Sequence, residues 1–309
     1  MSSSRLNVSA AGIEFQNPVL LAAGTAGYGR EISGLIPLDD LGGIVTKAVS
    51  LEIRPGAPAP RVAELGEGMI NAVGLANPGA AEVRASHLPW LEENLHRARV
   101  IVNVLGNVTQ DFAEVIAILD DSPAISAYEL NVSCPNVKAG GMEFGADAAA
   151  LTDVIVRARA ETRRPLFVKL SPTLPKVADT ARVAADAGAS GITVFNTIPG
   201  LAIDVERRAP VLGFGTGGVS GSGLLPVGVL AAYRVAQAVD IPIIGVGGIS
   251  SATDALQYVM AGASLVAIGT AVMRDPRLAP RIVADLEKWC ERHDVTNVSE
   301  LRGTVKWQQ

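Results

Sequence analysis

A thiol, two strand-ending ammonium groups and a set of carboxamides are the residues of this chain whose chemistry asks for an explanation. The segment ELNVSCPNVKAGGMEFG carries Asn131, Cys134, Asn136 and Lys138 in one short, polar, turn-prone stretch. A thiol in a loop near lysines can have a lowered pKa and act as nucleophile or base. The other cysteine, Cys290, lies in LEKWCERH and reads as a small core hydrophobe. Two cysteines in 309 residues are too few for a disulfide framework, so both thiols are expected free and reduced. His87, His96 and His293 fall in helical or flanking segments, which gives no support to a Ser-His triad or a histidine metal site, and no metal is expected. Cysteine is therefore the best candidate base. Lys47 and Lys169 could stabilise a group that becomes anionic during reaction, because fixed positive charge favours developing negative charge. A buried ion pair is the alternative for each.

The elements that must position these groups follow from hydrophobic patterning. Short apolar runs at Pro18 to Ala22, Gly43 to Thr46, Val100 to Leu105, Ala127 to Leu130, Leu166 to Leu170, Gly191 to Phe195, Ile241 to Val246 and Leu265 to Ile268 read as eight strands. Between most of them lie amphipathic stretches with helical periodicity: Asp111 to Leu119, Ala148 to Arg159, Val177 to Ala187, Leu225 to Val239 and Ala252 to Ala261. Strand alternating with helix implies right-handed crossovers and a parallel sheet, and eight such units favour a closed (β/α)8 TIM barrel over an open doubly wound sheet. Residues 1–309 are read as one α/β domain. The connections Ser50 to Pro78 and Thr197 to Gly223 are too long for ordinary strand-to-helix loops and are expected to be lids or binding loops rather than surface decoration.

Nearly every predicted strand ends in a polar or glycine residue: Lys47, Asn103, Asn131, Lys169, Asn196, Gly247 with Gly248, and Gly269 with Thr270. In a parallel barrel these ends converge on one mouth, where active sites of the architecture lie. GVGGISSATD places two glycines before a helix start, with Ser251 and Asp254 at capping-box spacing, and AIGTAVM adds a second glycine turn. Turns after strands seven and eight form a common phosphate site in such barrels. The phosphate could belong to a substrate or to a flavin mononucleotide, and this motif does not choose between them. GFGTGG at Gly213 to Gly218 matches a dinucleotide fingerprint, but IDVERRAPVL before it is no buried strand, and Asp240 precedes a strand instead of ending one.

Composition narrows the class. Hydrophobic residues make up 49% of the chain and aromatic residues only 4%, a mix suited to buried parallel strands under helices. The net charge of -5 opposes attraction to phosphate backbones, so nucleic acid is an unexpected partner. No apolar run approaches the roughly 18 residues needed to span a bilayer, and MSSSRLNVSAAG lacks a signal-peptide core, so a cytoplasmic location is expected.

The order NPVLLAAGTAGYGRE, VTKA, PRVAELGEGMINAVGLANPG, ELNVSCPNVKAGGMEFG, FVKLSP, NTIPGLAIDVERRAPVLGFGTGGVSG, IIGVGGI and AIGTA resembles the class 1 dihydroorotate dehydrogenases over essentially the whole chain. NVKAGG after the cysteine, with NTIPGLAIDVERRAPVLG, is most similar to the class 1B branch rather than the fumarate-using 1A enzymes. The class 2 enzymes carry a serine base and a membrane-associating amino-terminal extension, and this chain shows neither. The resemblance implies FMN across the barrel mouth, with the isoalloxazine near Ala23, Lys47, Ala48, Asn103, Asn131, Lys169 and Phe195, and the phosphate at Gly221, Gly247, Gly248, Gly269 and Thr270. It implies orotate held by Lys47, Asn71, Ala72, Val73, Gly74 and Leu75, with Asn131, Asn136, Asn196 and Thr197. By the same resemblance Cys134 and Lys169 are the catalytic residues. Cys134 removes the C5 proton of dihydroorotate, while a hydride passes from C6 to the flavin, in pyrimidine biosynthesis.

The family pattern further implies a homodimer that can extend to a heterotetramer with an electron-transfer subunit carrying FAD and a 2Fe-2S cluster, which passes electrons to NAD. Ala23 stands where family members often have Ser, so one flavin contact would come from backbone, and GGVSGSGLLP departs from the usual Pro-containing form near Gly221. The alternatives are another FMN barrel acting on a dihydropyrimidine and a flavinless phosphate-binding isomerase or lyase.

Overall fold

Eight short runs pair side by side in the computed structural model of the chain, which describes residues 4–133, 135–136, 142–171, 174 and 176–307. They are β1 (Val19–Leu21), β2 (Gly43–Val45), β3 (Arg99–Val104), β4 (Ile125–Asn131), β5 (Leu166–Leu170), β6 (Gly191–Val194), β7 (Ile243–Val246) and β8 (Leu265–Ile268). Every neighbouring pair is parallel, the strands follow one another in chain order, and β8 pairs with β1 to close the barrel. All residues of β1, β2, β5, β6, β7 and β8 are buried. A strand covered on both faces has no solvent side to mark with polar residues, which is why these segments read as unbroken apolar runs instead of an alternation.

The longer helices cover that sheet. They are α1 (Leu88–Asn94), α2 (Thr109–Leu119), α3 (Ala148–Glu161), α4 (Val177–Asp186), α5 (Leu225–Ala236), α6 (Ala252–Met260) and α7 (Leu278–Arg292). Five match the expected helices to within a few residues. The start of α2 is set by Asp111, whose carboxylate accepts from the N–H groups of Asn107 and Val108. At α6 the Ser251 hydroxyl accepts from the Asp254 N–H, but the Asp254 carboxylate reaches back to the Ser250 N–H, one residue beyond the expected box.

One strand end runs further than its hydrophobicity suggests. The expected fourth strand stops at Leu130, whereas β4 includes Asn131, paired with Lys169 of β5. A parallel ladder is built by the backbone and continues past a polar side chain, so Asn131 and Lys169 are delivered from within the sheet.

The two long connections pair with each other. Ile198–Gly200, Gly217–Gly221, Gly68–Asn71 and Val62–Leu65 form a four-stranded antiparallel sheet in that order, the first two contributed by the segment after β6 and the last two by the segment after β2. Asn77 pins the first segment at its end: its Oδ1 accepts from Ser50 N–H and Gly79 N–H. Among the described residues, no helix is long and apolar enough to cross a membrane.

Candidate active site

The carboxyl ends of the barrel strands and the four-stranded sheet enclose a cavity of about 550 Å³. Its lining brings together all the strand-end residues singled out from the sequence: Lys47, Asn103, Asn131, Lys169, Asn196, Gly247, Gly248, Gly269 and Thr270. Ala23, Ala48, Phe195, Gly221 and the run Asn71, Ala72, Val73, Gly74, Leu75, with Thr197, face the same space. A second hollow of about 340 Å³ shares Asn71, Ala72, Gly74, Asn196 and Thr197 with the first. Cys134 and Lys138 lie outside the described residues, and Asn136 is described only as a short strand residue paired with Met142.

A chain of hydrogen bonds crosses the mouth. Asn196 Nδ2 donates to Ser133 Oγ at 2.7 Å, and Ser133 Oγ donates to Asn131 Oδ1 at 2.7 Å. Asn196 Oδ1 accepts from the Thr197 N–H. Both carboxamides are thereby oriented, and Asn131 keeps its Nδ2 donor for another partner. Ser133 lay inside the NVSCPN motif without being singled out, because a hydroxyl linking two asparagines on different strands leaves no local signature.

The lysines enter from opposite sides. Lys169 lies within β5 and is 6% exposed; Lys47 follows β2 and is held by its N–H donating to Gly27 O. Neither forms an ion pair or a side-chain hydrogen bond among the described residues, so the buried ion-pair alternative does not describe them. Burial pushes the Lys47 ammonium below the ordinary lysine range; Glu31 opposes that shift and Arg61 adds to it. A half-buried carboxyl, Glu143, accepts from Ser171 Oγ at 3.1 Å in the second hollow, and burial raises its pKa.

The glycine turns are explained by crowding and by backbone conformation. Gly247 and Gly248 have φ of 120° and 74°, which L side chains rarely adopt, and a Cβ on Gly248 would drive into Leu225. Tyr258 OH donates to both Val246 O and Gly247 O, fixing this turn from below. At the β8 turn, Thr270 Oγ1 donates to Ser220 Oγ at 2.7 Å, tying the barrel to the four-stranded sheet. The GFGTGG run is no dinucleotide turn. Gly217 and Gly218 are strand residues opposite Gly200 and Asn71, and a Cβ on Gly218 would collide with Thr197.

Three groups singled out for their chemistry stand apart from the cavity lining. His87 stacks on Tyr28 at 4.2 Å, and His293 stacks on Trp289 at the end of α7. Cys290 is fully buried within α7, where burial raises the thiol pKa. One functional-looking residue was missed altogether: Glu129 of β4, 1% exposed, accepts from Asn103 Nδ2 at 2.6 Å and from Thr193 Oγ1 at 2.7 Å inside the barrel. In sequence it is a single acid in an apolar strand.

The family model described as dihydroorotate dehydrogenase matches residues 5–289. The chain is 44% identical over 305 residues to the catalytic subunit of dihydroorotate dehydrogenase B (NAD(+)) from Pelobacter propionicus, covering 97% of this chain and 98% of that protein. It is 42% identical over 303 residues to the same-named subunit from Cutibacterium acnes, covering 98% and 99%, and 40% identical over 305 residues to that from Alkaliphilus metalliredigens, covering 99% and 100%. With its closed barrel and convergent mouth, the chain belongs to the dihydroorotate dehydrogenase family, in the branch of the B-type catalytic subunits.

Proposed function

We propose that the chain oxidises dihydroorotate to orotate in the cytoplasm, with FMN bound across the barrel mouth and electrons passed to NAD through a partner subunit. The observation that carries the flavin reading is the convergence of Lys47, Lys169 and the glycine turns at Gly247, Gly248 and Gly269 on one cavity of about 550 Å³. Lys47 and Lys169 form no salt bridge among the described residues and offer cationic charge, and the glycine turns after β7 and β8 expose backbone where a phosphate would rest. A Cβ on Gly269 would meet nothing nearer than 3.9 Å, against Ala22 and Thr25 of the cavity wall.

Bound there, FMN would take up the hydride that leaves substrate C6. The chain's own residues do the remainder. Cys134, as thiolate, takes the C5 proton. Asn131, oriented through Ser133, presents an amide donor to the substrate ring, and Asn196 and Asn71 lie where the two hollows meet. Lys169 and Lys47 stabilise negative charge that develops during the reaction, in a site where the sheet over the mouth limits water. The partner reading is supported by the relatives' name, catalytic subunit of an NAD(+)-linked enzyme, and by the two cysteines of this chain, too few for the ligands of an ordinary iron-sulfur cluster.

The test is direct. Purified chain should be yellow, should release FMN on denaturation, and should bleach on anaerobic addition of dihydroorotate. A colourless protein that cannot be loaded with FMN would refute the flavin reading, and a flavoprotein that bleaches with uracil-type dihydropyrimidines but not with dihydroorotate would move the substrate.

A further inference from the structure

We propose that Glu143 is a positioning residue for the base: by accepting a hydrogen bond from Ser171 it ties the return limb of the segment after β4 to the end of β5, and so holds the residue that follows Cys134 in the chain. The inference rests on the reading of Cys134 as the base. A group that abstracts a proton has to be placed to a fraction of an ångström, yet the segment after β4 has left the barrel ladder that carries Asn131 and Lys169. Both chain neighbours of Cys134 are held by other means. Ser133, before it, hydrogen-bonds Asn131 and Asn196 at 2.7 Å each. Pro135, after it, pairs with Glu143 in a short antiparallel ladder in which Asn136 faces Met142.

Glu143 connects that ladder to the barrel. Its Oε1 accepts from Ser171 Oγ at 3.1 Å, and Ser171, the residue directly after β5, is buried. The next two residues anchor the same limb elsewhere: Phe144 is fully buried, edge-on to Phe112 of α2 at 5.5 Å, and the Gly145 N–H donates to Val132 O at 3.0 Å. Of these three anchors only Glu143 reaches β5. With Ser133 joined to Asn196 just past β6, the segment is strapped across the ends of β5 and β6 on both sides of the base. A half-buried carboxyl held by one neutral hydroxyl, with no ion pair among the described residues, is a costly way to fill the wall of the second hollow, and burial pushes its pKa up. Packing alone would be met by an apolar side chain. What the carboxyl adds is an acceptor for Ser171 in either protonation state, since a protonated carboxyl keeps an accepting oxygen.

The experiment measures anaerobic single-turnover flavin reduction in the holoenzyme over a range of dihydroorotate concentrations, which separates the rate at saturation from the dissociation constant. Glu143→Ala is expected to lower the saturating rate roughly thirtyfold, the scale of loss that a misplaced reacting group brings, while the dissociation constant and FMN content stay within about threefold. Glu143→Gln keeps an oxygen that accepts from Ser171 and should recover the rate to within about threefold of wild type. In a chain that already lacks the base, Cys134→Ala, adding Glu143→Ala should slow reduction by less than about twofold more, because Glu143 acts through Cys134. A wild-type rate in Glu143→Ala, a loss confined to the dissociation constant, no recovery with glutamine, or losses that multiply in the Cys134→Ala background would each overturn the inference while leaving the dihydroorotate reading intact. A wild-type flavoprotein that dihydroorotate does not reduce would overturn both, and full-rate reduction in Cys134→Ala would remove the base together with the residue said to position it. If Glu143→Ala does not fold, Glu143→Met, which keeps the length and loses the acceptor, takes its place with the same expected outcomes.

Discussion

Asn131, Ser133 and Asn196 illustrate how a site can be spelled by common residues. None has unusual chemistry, yet one hydroxyl between two carboxamides decides which amide ends face the cavity. Against that fixed frame the base is the residue to remove. Cys134→Ser should retain FMN and orotate within a few-fold, but slow single-turnover flavin reduction by dihydroorotate roughly 10²–10⁴-fold near neutral pH, since a hydroxyl is a far weaker base than a tuned thiol. Wild-type reduction rates in the variant would take Cys134 out of the mechanism. Lys47 gives a pH signature. A lysine carries its charge below its pKa, and burial lowers that of Lys47, so its charge is lost as pH rises before a free lysine, near 10.4, would lose its own. Orotate affinity, followed by the perturbation of the flavin spectrum, should weaken through a midpoint below that value, and Lys47→Arg, which stays charged, should abolish the midpoint. A midpoint at the free-lysine value would contradict the role.

At the scale of elements, the four-stranded sheet turns two long loops into a wall. Gly68 sits opposite Gly221, and a Cβ there would drive into the Ser220 carbonyl oxygen. Gly68→Ala should therefore part the two segments. Because the barrel ladder is untouched, melting temperature should change by a few degrees at most, while FMN release accelerates and limited proteolysis within 55–75 becomes faster. Unchanged release and proteolysis would show that the sheet tolerates the insertion. The barrel strands were legible because burial on both faces writes a local apolar run. The accessory strands were not, because each of the four is three to five residues of mostly half-exposed or exposed chain, three of them containing glycine, and the two pairs of strands join across about 150 positions, as Asn71 and Gly218 do. Their pairing depends on tertiary proximity that no short window contains.

At the scale of the whole molecule the question is where electrons go. The one glycine-rich run that matched a nicotinamide fingerprint leads into a strand of the mouth sheet at Gly217 and Gly218, and the chain has two cysteines. The purified chain should bleach stoichiometrically with dihydroorotate, turn over with artificial acceptors that reach the flavin edge, and reduce NAD only slowly until a subunit with FAD and an iron-sulfur cluster is added. Rapid NAD reduction by the single chain would contradict this division of labour, and efficient turnover with fumarate would point to the 1A branch.

The sequence alone determined the barrel, the strand ends that converge on its mouth and the family, since each is carried by local pattern: apolar runs at strand length, a polar or glycine residue where each run stops, and motifs in fixed order. Tertiary structure decided what the mouth presents. Ser133 linking Asn131 to Asn196, the wall built from two distant loops and the Glu129 hydrogen bond to Asn103 all join residues on different strands. A hydrogen bond is a matter of a few tenths of an ångström between atoms that closing the barrel brings together, and neighbours in space of that kind have no trace in neighbours along the chain.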